Sequence, residues 1–423
     1  MKSVKLPYGE EFIEINPAFV ERIYSPAEVK PLDNPGVCLN KALLNPVGCA
    51  PLPSMLLDTK PDSVAIVIDD NTRPTPCAEL LPPILKICND CGIPDKSIKI
   101  IIALGTHRPM SGDEIKRKAG KGVLDRVMVI NSDYESKSSL VYHGLSESGV
   151  PIWINKDYSE ADFKIAVGSV MPHGATGFSG GAKIIYPGIA GRETVEVFHK
   201  KANSDERNAL GEIETPIRLE IESMVKQAGL DFVIQTVPGS KGNVSYITAG
   251  DPVKAHRDCA GAAREILGIE MKGRAKTVIA SSYPADNDFW QAAKCIFNCQ
   301  RAVEDGGWLI AASPCWEGIP REHALFDQYI GAEPEELAVK LEASLVEDPV
   351  TAAPAVCLGR FRKRINIGIV SEGLTENQIK KMGFLPFKTM NEALGTAFKS
   401  AGRNKAVVFT HGGESLPIIK PLD

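Results

Sequence analysis

Short apolar runs that each end in a polar loop broken by glycine or proline constrain this chain most strongly. Runs at residues 64–68, 98–104 and 163–167 predict buried strands, and the amphipathic stretches at 78–88 and 112–119 predict helices. Strands that alternate with helices form βαβ units, which place the strands in parallel sheets. The expected fold class is therefore α/β.

The same rhythm restarts after residues 268–274, a polar segment punctuated by glycine. Strands are predicted at 277–280, 307–312, 365–369 and 406–410, and helices at 289–303, 335–345 and 390–400. A chain of 423 residues also exceeds what one hydrophobic core usually organises. We predict two α/β domains with largely parallel sheets, 1–272 and 273–423, and an active-site cleft between them.

Charge and composition exclude several classes of protein. The net charge is −5 with both signs interspersed, so nucleic acid is not an expected partner. No apolar run approaches the roughly 20 residues that span a bilayer, and the N-terminus lacks a signal-peptide pattern. Ten cysteines without a framework suit a reducing compartment. These features predict a cytoplasmic protein that does not bind membranes.

Polar residues cluster where the predicted strands end. Ligands bind beyond the carboxyl ends of parallel strands. The loops that follow the strands at 64–68, 98–104 and 163–167 should therefore converge on one edge of the sheet. After the first strand, Asp70 and Arg73 precede two prolines; Arg73 either lies on a surface turn or binds a carboxylate or phosphate with its planar fork. His107 follows the second strand, as a structural histidine or as an acid–base near neutral pH.

The third loop, residues 168–191, is rich in glycine and carries His173 and Lys183. A P-loop would need the pattern GxxxxGK[ST], but Lys183 is preceded by Ala182 and followed by Ile184, so a P-loop nucleoside triphosphatase is excluded. The loop's backbone N–H groups can still approach a phosphate closely. A lysine in such an apolar stretch becomes nucleophilic when it is desolvated.

His199 lies on the next predicted helix, so three of the chain's seven histidines fall in or just after these loops. Catalytic zinc often takes three protein ligands. The sequence contains no HxxxH or HxH pair, however, and therefore no self-contained metal motif. The residues alone support a metal site or an acid–base site without choosing between them.

Taken in order, these segments resemble a known family. They are DNTRPTP at 70–76, GTHR at 105–108, the Pro172–His173 pair, GFSGGAK at 177–183, the Pro187–Gly188 pair with His199, and WQAAK at 290–294. The chain is similar in these motifs, over nearly its whole length, to the nickel-pincer-nucleotide lactate racemases. The resemblance implies an isomerase that racemises or epimerises a 2-hydroxy acid.

The resemblance also implies a cofactor, a pyridinium-3-thioamide-5-thiocarboxylate mononucleotide that carries nickel. Lys183 would hold it covalently and His199 would ligate the nickel, which suits square-planar coordination. The residues implied to bind the nucleotide are Asp70, Arg73, Gly177, Gly180 and Gly181. Enzymes of cofactor biosynthesis are the implied partners.

Substrate chemistry is implied in the same way. His107 and His173 would be paired acid–bases, one for each face of the substrate, while the C2 hydrogen leaves as hydride and returns to the opposite face of a transient 2-keto acid. Arg73 and Lys294 would hold the carboxylate, and Trp290 and Gln291 would contact the substrate. Trp290 replaces a tyrosine of the lactate enzymes, which predicts another 2-hydroxy acid, longer or polyhydroxylated.

Two alternative functions stay open at this point. One is a racemase, cofactor-independent or metal-dependent, that abstracts the C2 proton directly. The other is a non-catalytic homologue that only binds a nucleotide. The presence of His107, His173 and Lys183 together argues against the second alternative.

Overall fold

Two six-stranded sheets organise the protein, and the computed structural model describes residues 3–25, 31–205, 209–239 and 243–420. In the first, called the N-terminal sheet, the strands lie in the order Val244–Gly250, Phe232–Pro238, Phe163–Ser169, Val64–Asp69, Ile98–Ala103, Met128–Asn131. All neighbours in it are parallel except the first pair, which is an antiparallel hairpin.

The central strand Val64–Asp69 shows why these runs are apolar throughout. Ile66 and Ile68 pack on one face of the sheet, and Ala65 and Val67 pack on the other. Helices cover both faces, so both sets of alternating side chains are buried. The helices of this part of the chain are Pro35–Leu44, Leu52–Thr59, Cys77–Asp90, Gly112–Ala119, Lys121–Leu124, Lys156–Ser159, Arg192–Ser204, Pro216–Ala228 and Lys254–Leu267.

The second sheet, called the C-terminal sheet, is parallel throughout. Its order is Leu385–Phe387, Asn366–Val370, Val303–Ala312, Ala275–Ser281, Ala406–Phe409, Val20–Tyr24. The accompanying helices are Phe289–Cys299, Phe326–Gly331, Pro334–Glu342, Pro349–Arg364, Glu376–Lys381 and Met390–Ala401. Together the two sheets confirm the predicted α/β class with largely parallel strands.

Four two-stranded ladders complete the fold within the part of the chain that the structure describes. Val4–Tyr8 pairs with Glu11–Ile15, Leu140–Leu145 with Pro151–Asn155, and Pro172–His173 with Gly177–Phe178, all antiparallel. Gly268–Lys272 pairs with Leu416–Lys420 in parallel. The segment expected to separate the domains therefore contains a strand, in which apolar Ile269 and Met271 alternate with Glu270 and Lys272.

The N-terminal segment crosses between the two halves of the chain. Sequence reasoning assigns residues 1–272 to one domain, whereas Val20–Tyr24 forms an edge of the C-terminal sheet. Leu6 and Ile15 of the preceding hairpin also share a hydrophobic cluster with Ile279 of that sheet. Such short segments cannot bury their apolar residues alone, and the sequence does not indicate which sheet they join.

Contacts between the two halves hold the cleft walls in place. Helix Arg192–Ser204 packs along helix Pro349–Arg364. Lys200 forms an ion pair with Glu342 at 3.1 Å across the same boundary. Among the described residues, no helix combines the length and the apolar character needed to cross a membrane.

Candidate active site

A cleft lies between the two halves of the chain and encloses about 1320 Å³ of empty space, its open mouth included. The three strand-end loops meet there, because their strands are adjacent and parallel in the N-terminal sheet. The predicted site residues that line it are Asp70, Arg73, His107, His173, Gly180, Lys183, His199, Trp290 and Lys294. Gln291 lies in an adjoining chamber.

Asp70 and His107 form a close pair at the edge of this cleft. Asp70 Oδ2 lies 2.6 Å from His107 Nδ1, and Asp70 Oδ1 accepts hydrogen bonds from the amide and hydroxyl of Thr72. Burial disfavours the charged carboxylate, but His107, Thr72 and Arg73 outweigh it and hold the pKa of Asp70 well below its usual value. An ionised Asp70 accepts the proton of His107 Nδ1, which leaves Nε2 as the acceptor atom of neutral His107.

His107 Nε2 lies 2.9 Å from the amide nitrogen of Gln291, which reaches it from helix Phe289–Cys299 of the other half of the chain. The amide oxygen of Gln291 accepts a hydrogen bond from Lys294 Nζ, so its nitrogen faces the histidine as a donor. The acceptor atom of His107 is thereby hydrogen-bonded to a side chain of the other half of the chain.

The hydrogen bonds of His173 favour the opposite tautomer of its ring. It sits in the hairpin Pro172–His173 with Gly177–Phe178, and its Nδ1 accepts a hydrogen bond from the amide of Ala175 at 3.3 Å. Its neutral ring therefore carries the proton on Nε2. Burial, reinforced by Lys183 and other nearby cations, lowers its pKa well below the usual histidine value. His107 thus presents an acceptor and His173 a donor.

Three basic side chains, Arg73, Lys183 and Lys294, share the cleft. Burial and the positive charge of Arg73 lower the pKa of Lys183 to about 7, and the same two causes lower the pKa of Lys294 well below its usual value. Burial also raises the pKa of Glu414 to about 7, although Arg73 opposes the shift. Positive charge is thus incompletely balanced, and an anion bound here would relieve the repulsion.

His199 lies on helix Arg192–Ser204, between the side chains of Phe198 and Trp290, with ring centroids 5.1 and 6.3 Å away. Burial, then Lys183 and His107, lower its pKa to about 3, so the ring is neutral at physiological pH. A neutral imidazole is the form that ligates metals. Within the described ranges, no three His, Cys, Asp or Glu side chains are grouped to hold a metal ion by themselves.

Hydrogen bonds from two buried side chains fix the backbone of the glycine-rich loop. Buried Arg218 donates hydrogen bonds to the carbonyls of Phe178 and Gly180, and His256 Nε2 lies 3.0 Å from the carbonyl of Ser179. Because these carbonyls are hydrogen-bonded, the backbone between His173 and Lys183 is held in one conformation.

The glycines of this loop have separate packing reasons. A Cβ at Gly177 would lie 1.7 Å from the carbonyl oxygen of Glu212, and one at Gly181 would lie 2.8 Å from His256. Gly180 lines the cleft, but Gly177 and Gly181 do not. Close packing and positive φ angles account for all three glycines without a ligand.

Sequence reasoning missed His323. This buried histidine stacks on Trp290 with ring centroids 3.6 Å apart and planes inclined by 15°. Its two ring nitrogens lie 2.8 Å from Thr351 Oγ1 and 3.3 Å from Thr106 Oγ1. The last contact links the C-terminal half to the residue before His107. No sequence motif surrounds His323, so only the folded arrangement reveals it.

Comparison with protein families agrees with this architecture. The family model described as lactate racemase N-terminal domain matches residues 8–211, and the one described as lactate racemase C-terminal domain matches residues 271–418. The chain belongs to the lactate racemase family. The resemblance predicted from the motifs is thus confirmed, and the family indicates a racemase, which is an isomerase.

Individual relatives support the assignment to the lactate racemase family. A lactate racemase of Thermoanaerobacterium thermosaccharolyticum is 29% identical over 369 residues, covering 85% of this chain and 84% of the relative. A lactate racemase of Lactiplantibacillus plantarum is 25% identical over 382 residues, covering 89% of each chain.

Solved structures agree as well. The lactate racemase apoprotein from T. thermosaccharolyticum superposes with a TM-score of 0.86 at 25% identity, covering 98% of this chain and all of that one. A Thermotoga maritima protein shares the fold, with a TM-score of 0.72 at 20% identity, covering 87% of this chain and 96% of that one.

Proposed function

We propose that the protein racemises or epimerises a 2-hydroxy acid with a nickel-pincer nucleotide held by Lys183 and His199. The observation that carries the proposal is the cleft itself, where the complementary pair His107 and His173 faces a group of cations. A 2-hydroxy acid needs proton transfer at its hydroxyl and a positive charge for its carboxylate.

The residues present fit the implied cofactor. Lys183 has a pKa of about 7, so a large fraction of its amine is neutral and nucleophilic at physiological pH. His199 offers a neutral imidazole to a metal, and its low pKa of about 3 means that few protons compete. A metal held by one histidine needs further ligands, and the sulfurs and ring carbon of a pincer nucleotide would provide them.

When bound, the cofactor would supply an acceptor for the C2 hydrogen and its electron pair. Around it, Arg73 and Lys294 hold the substrate carboxylate. Once the substrate hydroxyl replaces the Gln291 amide at His107 Nε2, this atom takes the hydroxyl proton, since ionised Asp70 keeps the ring proton on Nδ1. His173 donates a hydrogen bond from Nε2 to the substrate oxygen on the other side. The cleft thus offers the substrate oxygen a proton acceptor on His107 and a hydrogen-bond donor on His173.

The test is intact-protein mass spectrometry and nickel analysis of protein expressed with the enzymes that make the cofactor. We expect a covalent adduct with nickel, no adduct in Lys183→Ala, and adduct with much reduced nickel in His199→Ala. Lys137→Ala, which removes an exposed lysine paired with Glu193, is the matched control and should keep the adduct. Active protein that carries neither adduct nor nickel would refute the cofactor assignment.

A solvent-isotope experiment separates this proposal from direct C2 proton abstraction. With internal transfer of the C2 hydrogen, the product formed in deuterated water keeps its original C2 hydrogen. Abstraction by a histidine exchanges that proton with solvent, so deuterium appears at C2. Mass spectrometry of the racemised acid distinguishes the two mechanisms, and full deuterium incorporation would contradict the proposal.

A further inference from the structure

The space around His107 consists of two chambers of different chemistry. The first, called the apolar end, is the part of the main cleft beside His199 that is lined mainly by apolar residues, with two asparagines among them: Phe198, Ala202, Asn203, Trp290, Ala293, Phe297, Asn298, Phe326 and Pro354. The second, called the polar chamber, has an empty volume of about 910 Å³, its open mouth included, and is lined by residues that include Asn71, Arg108, Asp288, Glu317, Arg321 and Glu322. Thr106, His107 and Trp290 border both.

Trp290 is a fixed wall between the two. His323 covers one face of its indole at 3.6 Å, and Phe326 meets it edge-on with centroids 5.0 Å apart. Because Thr106 and Thr351 engage both ring nitrogens of His323, the stacked pair cannot swing away without losing hydrogen bonds. The indole therefore presents its remaining face or edge to the apolar end.

The apolar end selects against hydroxyl groups. Side chains of Phe297, Phe326 and Pro354 offer a hydroxyl no hydrogen-bond partner, so a hydroxyl buried against them would lose its water without replacement. The side-chain amides of Asn203 and Asn298 already donate to the backbone carbonyls of His199 and Gly413. An apolar group gains by leaving water there, and an aromatic group gains further by packing on an indole. Lys294 follows Trp290 by one turn of the same helix and lines the main cleft, so a substrate held by Lys294 lies next to this wall.

We infer that the substrate is a 2-hydroxy acid with a branched or aromatic apolar side chain, which packs against Trp290 in the apolar end. This inference rests on the proposed function, since it takes the reacting carbon to lie between His107 and His173. It chooses between the two substrate classes that the tryptophan suggested in the sequence, favouring a longer apolar acid over a polyhydroxylated one.

The experiment uses holoenzyme whose nickel and Lys183 adduct have been verified. Single enantiomers of lactate, glycerate, malate, 2-hydroxy-4-methylpentanoate and 3-phenyllactate are followed by chiral chromatography, and calorimetry gives the dissociation constant of each acid. We expect kcat/KM for the two apolar acids to exceed that for lactate and glycerate by roughly tenfold or more. Their dissociation constants should fall in the same order.

Two variants of Trp290 and one control variant test in which chamber the side chain of the substrate binds. Trp290→Ala should reduce the preference for 3-phenyllactate over lactate by roughly tenfold, and Trp290→Tyr is a milder second variant whose preference should fall in the same direction. Arg321→Gln, at the exposed edge of the polar chamber, is the matched control and should leave the preference within about twofold. Circular dichroism confirms that each variant is folded.

Four results would overturn the inference. Glycerate or malate as the best substrate, or a preference that changes in Arg321→Gln and not in Trp290→Ala, would place the side chain in the polar chamber while the proposed function stands. Loss of adduct and nickel in Trp290→Ala, with an unchanged order of the dissociation constants, would assign the apolar end to the cofactor. Failure of fully loaded protein to turn over any of the five acids would refute the proposed function together with this inference.

Discussion

Replacing Asp70 by asparagine tests the assignment of His107 as a base. Asparagine has nearly the same shape as aspartate, and Thr72 can still donate to its oxygen. It is neutral, however, and its amide can donate a hydrogen bond to His107 Nδ1, whereas the carboxylate can only accept one from it. The ring proton would then move to Nε2, the atom that should receive the substrate's hydroxyl proton.

The magnitude follows from the geometry of the pair. Asp70 lies 2.6 Å from His107 and its side chain is only 4% exposed, so water cannot replace the carboxylate. In serine proteases the same substitution beside a catalytic histidine lowers kcat on the order of 10⁴-fold. His107 is 22% exposed, which allows some relaxation. We therefore expect a loss on the order of 10³-fold in kcat, equivalent to about 4 kcal/mol.

The assay measures both directions of racemisation by chiral chromatography, with KM and kcat determined separately. Glu317→Gln removes a carboxylate that is 47% exposed beside Arg108 in the polar chamber, and as control it should change kcat by less than about twofold. The free energy of unfolding of Asp70→Asn should fall by about 1 to 3 kcal/mol. Activity within tenfold of the wild type, in folded and fully loaded protein, would show that Asp70 does not set the state of His107.

Further predictions concern the glycine-rich loop and the attachment lysine. Gly181→Ala should lower the free energy of unfolding by about 1 to 3 kcal/mol in urea titrations, because its Cβ would lie 2.8 Å from buried His256 at φ +60°. Gly105→Ala, at φ +59° with open space around it, should cost only about 1 kcal/mol. Labelling of Lys183 in apoprotein by an amine reagent should rise with pH through about 7, because its lowered pKa frees the neutral amine there; a midpoint near 10 would contradict the assigned environment.

Much of the fold follows from the sequence because its strands are buried on both faces. A run such as Val64–Asp69 has few other possible structures, and its neighbours have the same character. Helix Pro349–Arg364 was not predicted, because Pro354 lies inside it and proline usually ends a helix. The predicted helix 289–303 ends earlier, at Cys299, and strand Val303–Ala312 begins directly after a short turn.

The candidate site, like the fold, has features that the sequence predicts and others that it does not. Asp70, His107 and Lys183 are predictable because each follows a strand whose end the sequence marks. The pairing of Asp70 with His107, the opposite tautomers of the two histidines and the stack of His323 on Trp290 depend on distances between segments far apart in the chain. Nothing in the local pattern encodes those distances, so they emerge only from the packing of the two halves.

The three cations of the cleft suggest how cofactor attachment and substrate binding are coupled. In the apoprotein, burial and the positive charge of Arg73 lower the pKa of both Lys183 and Lys294, and the charge of Lys183 lowers that of Lys294 further. On the proposed function, conversion of the Lys183 amine into a thioamide removes its charge permanently and takes away one of the positive neighbours of Lys294. The pKa of Lys294 should then rise, because Asp70 and Asp288 favour its ammonium form. The step that fixes the cofactor would thereby also help charge the lysine that holds the substrate carboxylate.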